Sequence, residues 1–253
     1  MPGPIQSIQR AAAVLDLLER SPRPLLLREI VDELGLPKTT IHGILRTLVE
    51  LQYVDHDDAD STYVLGARRH GLATHLDGNV LRSAAMGWCD TLASILDVQV
   101  WLAVLTEDSA QVVHHVFRPD DSPQRLRIDE RLPLHATACG KLLLSYSPHR
   151  DRLLRNMILE SFTSCTISSR QALTEEIAGV RATGYAVNCG EYESGSAALA
   201  VAVHGPRPGA TGALAVLGSP GTLFRYGREP RGQVLTEIRR CASSIARELG
   251  EAR

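Results

Sequence analysis

No stretch of about 18 consecutive apolar residues occurs in the chain, which removes a membrane-spanning helix. The first residues, Met1-Pro2-Gly3-Pro4, lack a basic patch followed by an apolar run, so no secretion signal is expected. Cysteine is sparse and scattered: Cys89, Cys139, Cys165, Cys189 and Cys241 are odd in number, and none forms a Cys-x-x-Cys pair. That pattern supplies neither a disulfide framework nor a zinc site, so no metal or cofactor is expected and a reducing cytoplasm suits the chain best. A surplus of positive charge is also missing. The net charge is −2, and the first 68 residues carry seven Lys/Arg against ten Asp/Glu. A nucleic-acid role must therefore rest on where the cations sit, because counterion release depends on local phosphate contacts rather than on the sum.

The chain does have length and apolar content. Its 253 residues exceed one ordinary domain and suit two. A hydrophobic share of 44% is sufficient for buried cores.

In the N-terminal third, Ile5, Ile8, Ala12, Leu15 and Leu18 recur at steps of three and four, which predicts a helix over 4–20 with that stripe inward. Ser-Pro-Arg-Pro at 21–24 ends it, since proline disfavours helix in the residue before it. A short second helix would turn Leu27, Ile30, Val31 and Leu34 inward, and Gly35-Leu36 makes a tight turn. Pro37 suits the first position of a third helix, where its missing N–H costs nothing.

In that third helix Ile41, Ile44, Leu45, Leu48 and Leu51 share a face, and the opposite face carries Thr39, Gly43, Arg46 and Glu50, flanked by His42 and Thr47. Glycine inside a helix costs about 1 kcal/mol against alanine. Close approach of the backbone to another surface, such as a groove, is one physical reason to keep Gly43. Short helix, tight turn and a helix with a polar outer face form the arrangement of a major-groove reader of double-stranded DNA. Thr39, His42 and Arg46 are then the candidates for base edges, and Lys38, Thr40, Arg10 and Arg28 for phosphates. Tyr53-Val54-Asp55 and Thr62–Leu65 predict a hairpin wing, whose tip bears Asp57, Asp58 and Asp60 and would repel phosphate. A three-helix protein-binding module competes with this reading.

The string Gln6-Ser7-Ile8-Gln9-Arg10-Ala11-Ala12 is followed by Leu36-Pro37-Lys38-Thr39-Thr40-Ile41-His42 and by Tyr63-Val64-Leu65-Gly66. Further on come Leu132-Pro133-Leu134-His135-Ala136-Thr137-Ala138-Cys139-Gly140-Lys141 and Gly184-Tyr185-Ala186. Together, from about residue 5 to 248, these resemble the IclR family of bacterial regulators. Within it, His42–Leu48 and His114–Ser122 are most similar to the glycerol operon regulators of high-GC bacteria. Most members carry arginine where this chain has Gly43, which implies a different operator sequence.

The resemblance implies an α+β chain: a winged helix-turn-helix over 1–66, a linker helix over 67–82, and a GAF-like α/β effector-binding and oligomerisation domain over 83–253. It also implies a homodimer or tetramer. The residues themselves predict a connecting helix over 66–81, loosened by Gly71 and Gly78, and a second amphipathic stretch over 79–96. Strands are expected at 98–106, 110–117, 185–188, 197–204 and 212–217, and helices at 137–146, 173–183 and 233–249. The turn Ala138-Cys139-Gly140-Lys141 bares backbone amides at a helix start, a candidate anion or effector pocket, although a plain strand-to-helix turn looks the same.

Family members that sense organic acids imply further effector positions at Asn188, Ala198, Ala215 and Leu217. There an aspartate, a cysteine and two serines of the acid-sensing pattern have been lost. The resemblance thus points to glycerol or glycerol 3-phosphate as the effector, with repression of glycerol-use genes. Glu191 and Glu193 border this segment, either holding a ligand hydroxyl or simply solvated. Two alternatives stand: a DNA-binding dimer whose second domain only oligomerises, and an enzyme using Cys139 with His135. His114 and His115 point to opposite sides of a strand and do not suit one metal ion.

Overall fold

The structure, a computed structural model, describes residues 5–21, 23–57, 60–120, 122–205 and 209–251, with the side chains of 67–77 and 251 outside the description. The chain divides into two compact units, Met1–Ala73 and Thr74–Arg253.

In the first unit α1 (Gln6–Arg20) stops at the expected Ser21, but only the later part of the expected stripe, Leu15 and Leu18, faces inward, joined by Val14. Val14 and Leu18 are buried, whereas Ile5 and Ile8 are each 63% exposed and Ala12 is also exposed. The apolar arc of α1 is wide enough to allow two stripes at helical spacing. Contact with α3 (Lys38–Glu50) and β3 (Thr62–Leu65) selects the one through Val14. The helix α2 (Leu27–Leu34) buries Ile30 and ends on Gly35, whose φ of 61° is left-handed and suits glycine.

Pro37 caps α3 rather than opening it: its carbonyl accepts the N–H of Thr40 and Ile41 at 2.9 and 3.1 Å. Ile41, Leu45 and Leu48 are buried as expected, but Leu51 lies past the helix end and is 46% exposed. The wing is β2 (Val54–Asp57) paired antiparallel with β3. A two-residue strand absent from the expectation, β1 (Leu25–Leu26), adds to the other side of β3.

A single helix, α4 (Ala67–Leu96), occupies the range where two stretches were expected, and Gly71 and Gly78 do not interrupt it. The second unit is built on a six-stranded antiparallel sheet ordered β6-β5-β4-β9-β8-β7. Its strands are β4 (Gln99–Leu105), β5 (Ser109–Val116), β6 (Arg131–Pro133), β7 (Tyr185–Cys189), β8 (Ala197–Val203) and β9 (Gly212–Gly218). The strand β6 and two short helices, α6 (Arg150–Asn156) and α8 (Pro220–Leu223), were not foreseen.

Helices cover both faces of the sheet, which is why β4, β8 and β9 are almost continuously apolar. On one face Val100, Leu102, Leu199, Val201, Leu214 and Val216 pack in a cluster with α4 and α9 (Gly232–Glu251). On the other, Trp101, Ala103, Ala186, Ala198, Ala200 and Ala215 meet α5 (Ala138–Tyr146) and α7 (Arg170–Thr183). The two-residue period thus sorts large side chains to one side and small ones to the other, so that α5 rides close to the sheet.

Candidate functional site

On α3 the side chains of Thr39, His42, Arg46, Thr47 and Glu50 are exposed, as are Lys38 and Gly43, and Thr40 is half-buried. A methyl group at Gly43 would meet nothing within 4 Å, so packing inside the unit does not require glycine there. The Thr47 hydroxyl donates to the Gly43 carbonyl at 3.0 Å. Arg46 Nε stands 3.8 Å from Glu50 Oε1 with both side chains mostly in solvent, a weak pair that an incoming acceptor can displace. No described side chain caps the start of α3, which leaves its first N–H groups open to an anion.

Of the outlying phosphate candidates, Arg28 is exposed on α2 and Arg10 is half-buried on α1. The start of α2 is braced by Glu29, which accepts the Leu26 N–H at 2.8 Å and pairs with Arg23 at 2.7 Å. The Arg23 guanidinium, then the Leu26 N–H, hold the Glu29 carboxyl down at about 2. At the wing Asp57 is half-buried and Asp60 exposed, while Asp58 lies outside the described residues.

The second candidate region starts where β6 gives way to α5. Thr137 caps the helix, its hydroxyl accepting the Gly140 N–H at 3.1 Å and donating to the Pro133 carbonyl at 2.9 Å. A methyl group at Gly140 would lie 2.5 Å from the Pro133 oxygen and 2.6 Å from the Leu134 Cα, so close packing of helix on strand accounts for this glycine. Ala138 and Cys139 are buried. Burial pushes the Cys139 thiol up to about 12, the reverse of what a nucleophile needs, and His135 Nε2 pairs with the Glu160 carbonyl at 2.9 Å.

Lys141 is fully buried, its ammonium 2.6 Å from Glu191 and 2.8 Å from Glu176. Arg228 reaches the same two carboxylates, at 2.9 and 2.6 Å. Burial alone would raise Glu176, but Lys141 and Arg228 outweigh it and hold its carboxyl below the ordinary value. Glu191 is therefore not the solvated residue its alternation suggested. The Asn188 amide donates to the Ala136 carbonyl at 2.9 Å and accepts the Glu191 N–H at 2.9 Å. An aspartate could not make the first of these bonds. Glu193 pairs with Arg127.

Asn188, Ala198 and Leu217 lie in one row across β7, β8 and β9, and Ala215 sits two residues along β9 from Leu217. The sheet therefore brings these candidates together under α5, but the polar ones, Lys141, Asn188 and Glu191, all hold protein partners. Two polar side chains that the sequence reading did not assign to the effector site lie close by. Trp101 is the cross-strand neighbour of Ala215, and His115 is the next in that row. His114 lies across from Leu102 on the α4 side, so the two histidines do occupy opposite faces. Nothing in the alternation of β4 and β5 signals whether these ring N–H groups find partners; only Lys141, a cation inside an apolar helix, carried a readable sign that partners must exist.

Two family models match the chain: the IclR helix-turn-helix domain over residues 7–58 and the bacterial transcriptional regulator IclR C-terminal domain over residues 73–247. The chain belongs to the IclR family of transcriptional regulators. This IclR-type regulator is 41% identical over 252 residues to the glycerol operon regulatory protein of Streptomyces coelicolor, covering 98% of each chain. Among solved structures, it is similar to a putative transcriptional regulator from Rhodococcus sp. RHA1, with a TM-score of 0.63 and 25% identity over 98% of this chain and 99% of that one. The fold is shared with an IclR homolog from Microbacterium hydrocarbonoxydans solved with 4-hydroxybenzoate, at a TM-score of 0.60 and 20% identity, covering 96% and 99%. The polar strip on α3 thus falls inside the family's helix-turn-helix, and the α5 region inside its C-terminal domain. These relatives and this fold are regulators rather than enzymes, in keeping with the buried Cys139 thiol. Among the described residues no helix is long and apolar enough to cross a membrane.

Proposed function

We propose that this IclR-type regulator represses a glycerol or related carbon-catabolism operon and lets go of its operator when a small effector binds in the Thr74–Arg253 unit. The DNA half of the proposal is carried by one observation: the polar strip of α3 is uncovered by protein within its own unit, while the aliphatic strip behind it is buried. Thr39, His42 and Arg46 read base edges, with Arg46 suited to guanine, and Gly43 admits the backbone to the groove. Lys38, Thr40, Arg10 and Arg28 hold phosphates and set register. As a homodimer the protein would present two such helices to half-sites about one turn, ~34 Å, apart. The acidic wing tip takes no phosphate.

The glycerol assignment is supported by the likeness to the Streptomyces coelicolor protein, and the capacity for a ligand by the Microbacterium fold-mate solved with 4-hydroxybenzoate. The effector would sit among Ala138, Cys139, Ala198, Ala215 and Leu217, with Gly140, Lys141, Asn188 and Glu191 shaping that wall. A mobility shift on the DNA upstream of the chain's own gene, with and without glycerol and glycerol 3-phosphate, tests the proposal. Retardation that either compound relieves is the expected result; no retardation, or a complex indifferent to both, overturns it.

A competing reading, in which the domain only oligomerises, is separated from this one by ligand-dependent stability. A true ligand at 100 times its dissociation constant adds about 2.7 kcal/mol of stability, and an oligomerisation module would gain nothing.

A further inference from the structure

Trp101 Nε1 and His115 Nε2 are buried and, like both ring nitrogens of His114 on the opposite face, have no hydrogen-bond partner among the described residues. The two residues are 7% and 6% exposed. Native proteins seldom leave buried donors unpaired, because the lost hydration is not returned, so a neighbouring pair of them calls for a cause. They face each other across β4 and β5, their rings 5.8 Å apart edge to face. The row continues from Trp101 to Ala215 and Ala200, so both rings stand on the α5 side of the sheet, beside the methyl group of Ala215.

The chemistry of the pair can be read from its surroundings. His115 Nδ1 accepts the Arg127 backbone N–H at 3.2 Å, which puts the ring proton on Nε2. Burial, then the Arg127 charge, keep this imidazole at about 4, hence neutral near pH 7. The Trp101 indole can only donate. The Arg127 guanidinium lies 5.8 Å from the Trp101 ring centroid, yet it is held by both Glu130 and Glu193, and the other arginine of this neighbourhood, Arg125, is exposed. The place offers two uncharged donors, and its nearest cation is already held by two carboxylates, which suits a hydroxyl oxygen better than a phosphate.

We propose that Trp101 and His115 are the hydrogen-bonding pair of the effector site, taking the hydroxyl oxygens of a small neutral polyol. The assignment rests on the sensor reading above. Polar recognition then lies on β4 and β5, next to the alanine-lined part of the sheet, rather than on Asn188 or Lys141.

Calorimetry on the full-length chain with glycerol, and with glycerol 3-phosphate as the second arm, tests the assignment. It is run on wild type, Trp101→Phe and His115→Asn. Phenylalanine keeps the apolar ring and deletes the N–H; asparagine keeps an acceptor near Nδ1 and deletes Nε2–H. The wild type is expected to bind glycerol saturably and more tightly than glycerol 3-phosphate. Each variant is expected to lose roughly tenfold in glycerol affinity, the effect of one neutral hydrogen bond. Unliganded Trp101→Phe should unfold at the wild-type temperature or above, since it no longer buries an orphan donor.

Wild-type binding that neither variant weakens overturns the assignment and leaves the sensor reading standing. Tighter binding of glycerol 3-phosphate overturns the neutral-ligand choice, and therefore the proposal. Silence of the wild type towards both compounds, with an operator complex that neither relieves, removes the sensor reading and this inference with it.

Discussion

Lys141 Nζ lies 2.6 Å from Glu191 Oε2, and both side chains are buried. Glu176 and Arg228 complete a quartet in which two cations meet two carboxylates. The quartet ties together α5, α7, the turn after β7 and the segment before α9. A buried pair of this kind adds little over a well-packed apolar one, but removing one member leaves a charge stranded.

Lys141→Met is therefore expected to destabilise the protein by about 3–5 kcal/mol, because Glu191 loses its nearest cation in a buried place. Urea unfolding checks this, and Lys141→Met combined with Glu191→Leu should recover part of the loss. A lysine that serves ligand rather than Glu191 would show the opposite pattern: unchanged stability and weakened ligand binding.

Gly43→Ala should act with opposite signs on stability and on DNA binding. Space around the glycine is open, so alanine adds helix propensity of up to about 1 kcal/mol. The same methyl group stands in the way of a groove approached closely. A higher unfolding midpoint with weaker operator retardation is expected. Unchanged operator affinity would mean that the backbone at 43 does not come near the bases.

Arg46 and Lys38 separate base reading from phosphate anchoring. Arg46→Ala should relax preference at one operator position by about 1–3 kcal/mol, whereas Lys38→Ala should weaken all sequences alike and flatten the salt dependence. Competition binding against specific and random duplexes at several salt concentrations distinguishes them. Equal losses on both duplexes for Arg46→Ala would contradict its role.

Acid should loosen the Thr74–Arg253 unit before carboxylates titrate. Burial, then Arg127 and His114, hold His115 at about 4 against an ordinary 6.5, and burial also lowers His114. The unfolded chain therefore takes up these protons first. The stability that His115 contributes is complete above about 6.5, falls as pH drops, and is gone below about 4. Thermal unfolding between pH 8 and 4 should show this decline, with a shallower slope in His115→Asn. Identical slopes would exclude His115 as its source.

Much of the fold was legible in the sequence because its cause is local. Helix α3 and its two faces follow from the spacing of Ile41, Leu45 and Leu48 against Thr39, Gly43 and Arg46. Strands β4, β5, β8 and β9 follow from apolar runs bounded by turns. The short pieces β1 and β6 were not legible, since two or three residues carry no period. The first half of the α1 stripe differs for a related reason: Ile8 and Val14 both fit helical spacing with Leu18, and only the neighbours of α1 choose between them.

The string by itself carried the motif order that resembles the IclR family and the period that gives α3 an outer face suited to DNA, because both are properties of chain order. Tertiary structure alone decided which polar groups remain unpaired. Lys141, Asn188 and Glu191 looked available in the sequence and are bonded inside the protein; Trp101 and His115, which the sequence did not assign to the effector site, are left with open N–H groups among the described residues. Hydrogen-bond satisfaction depends on atoms that chain order separates by tens of residues, so no local pattern can report it.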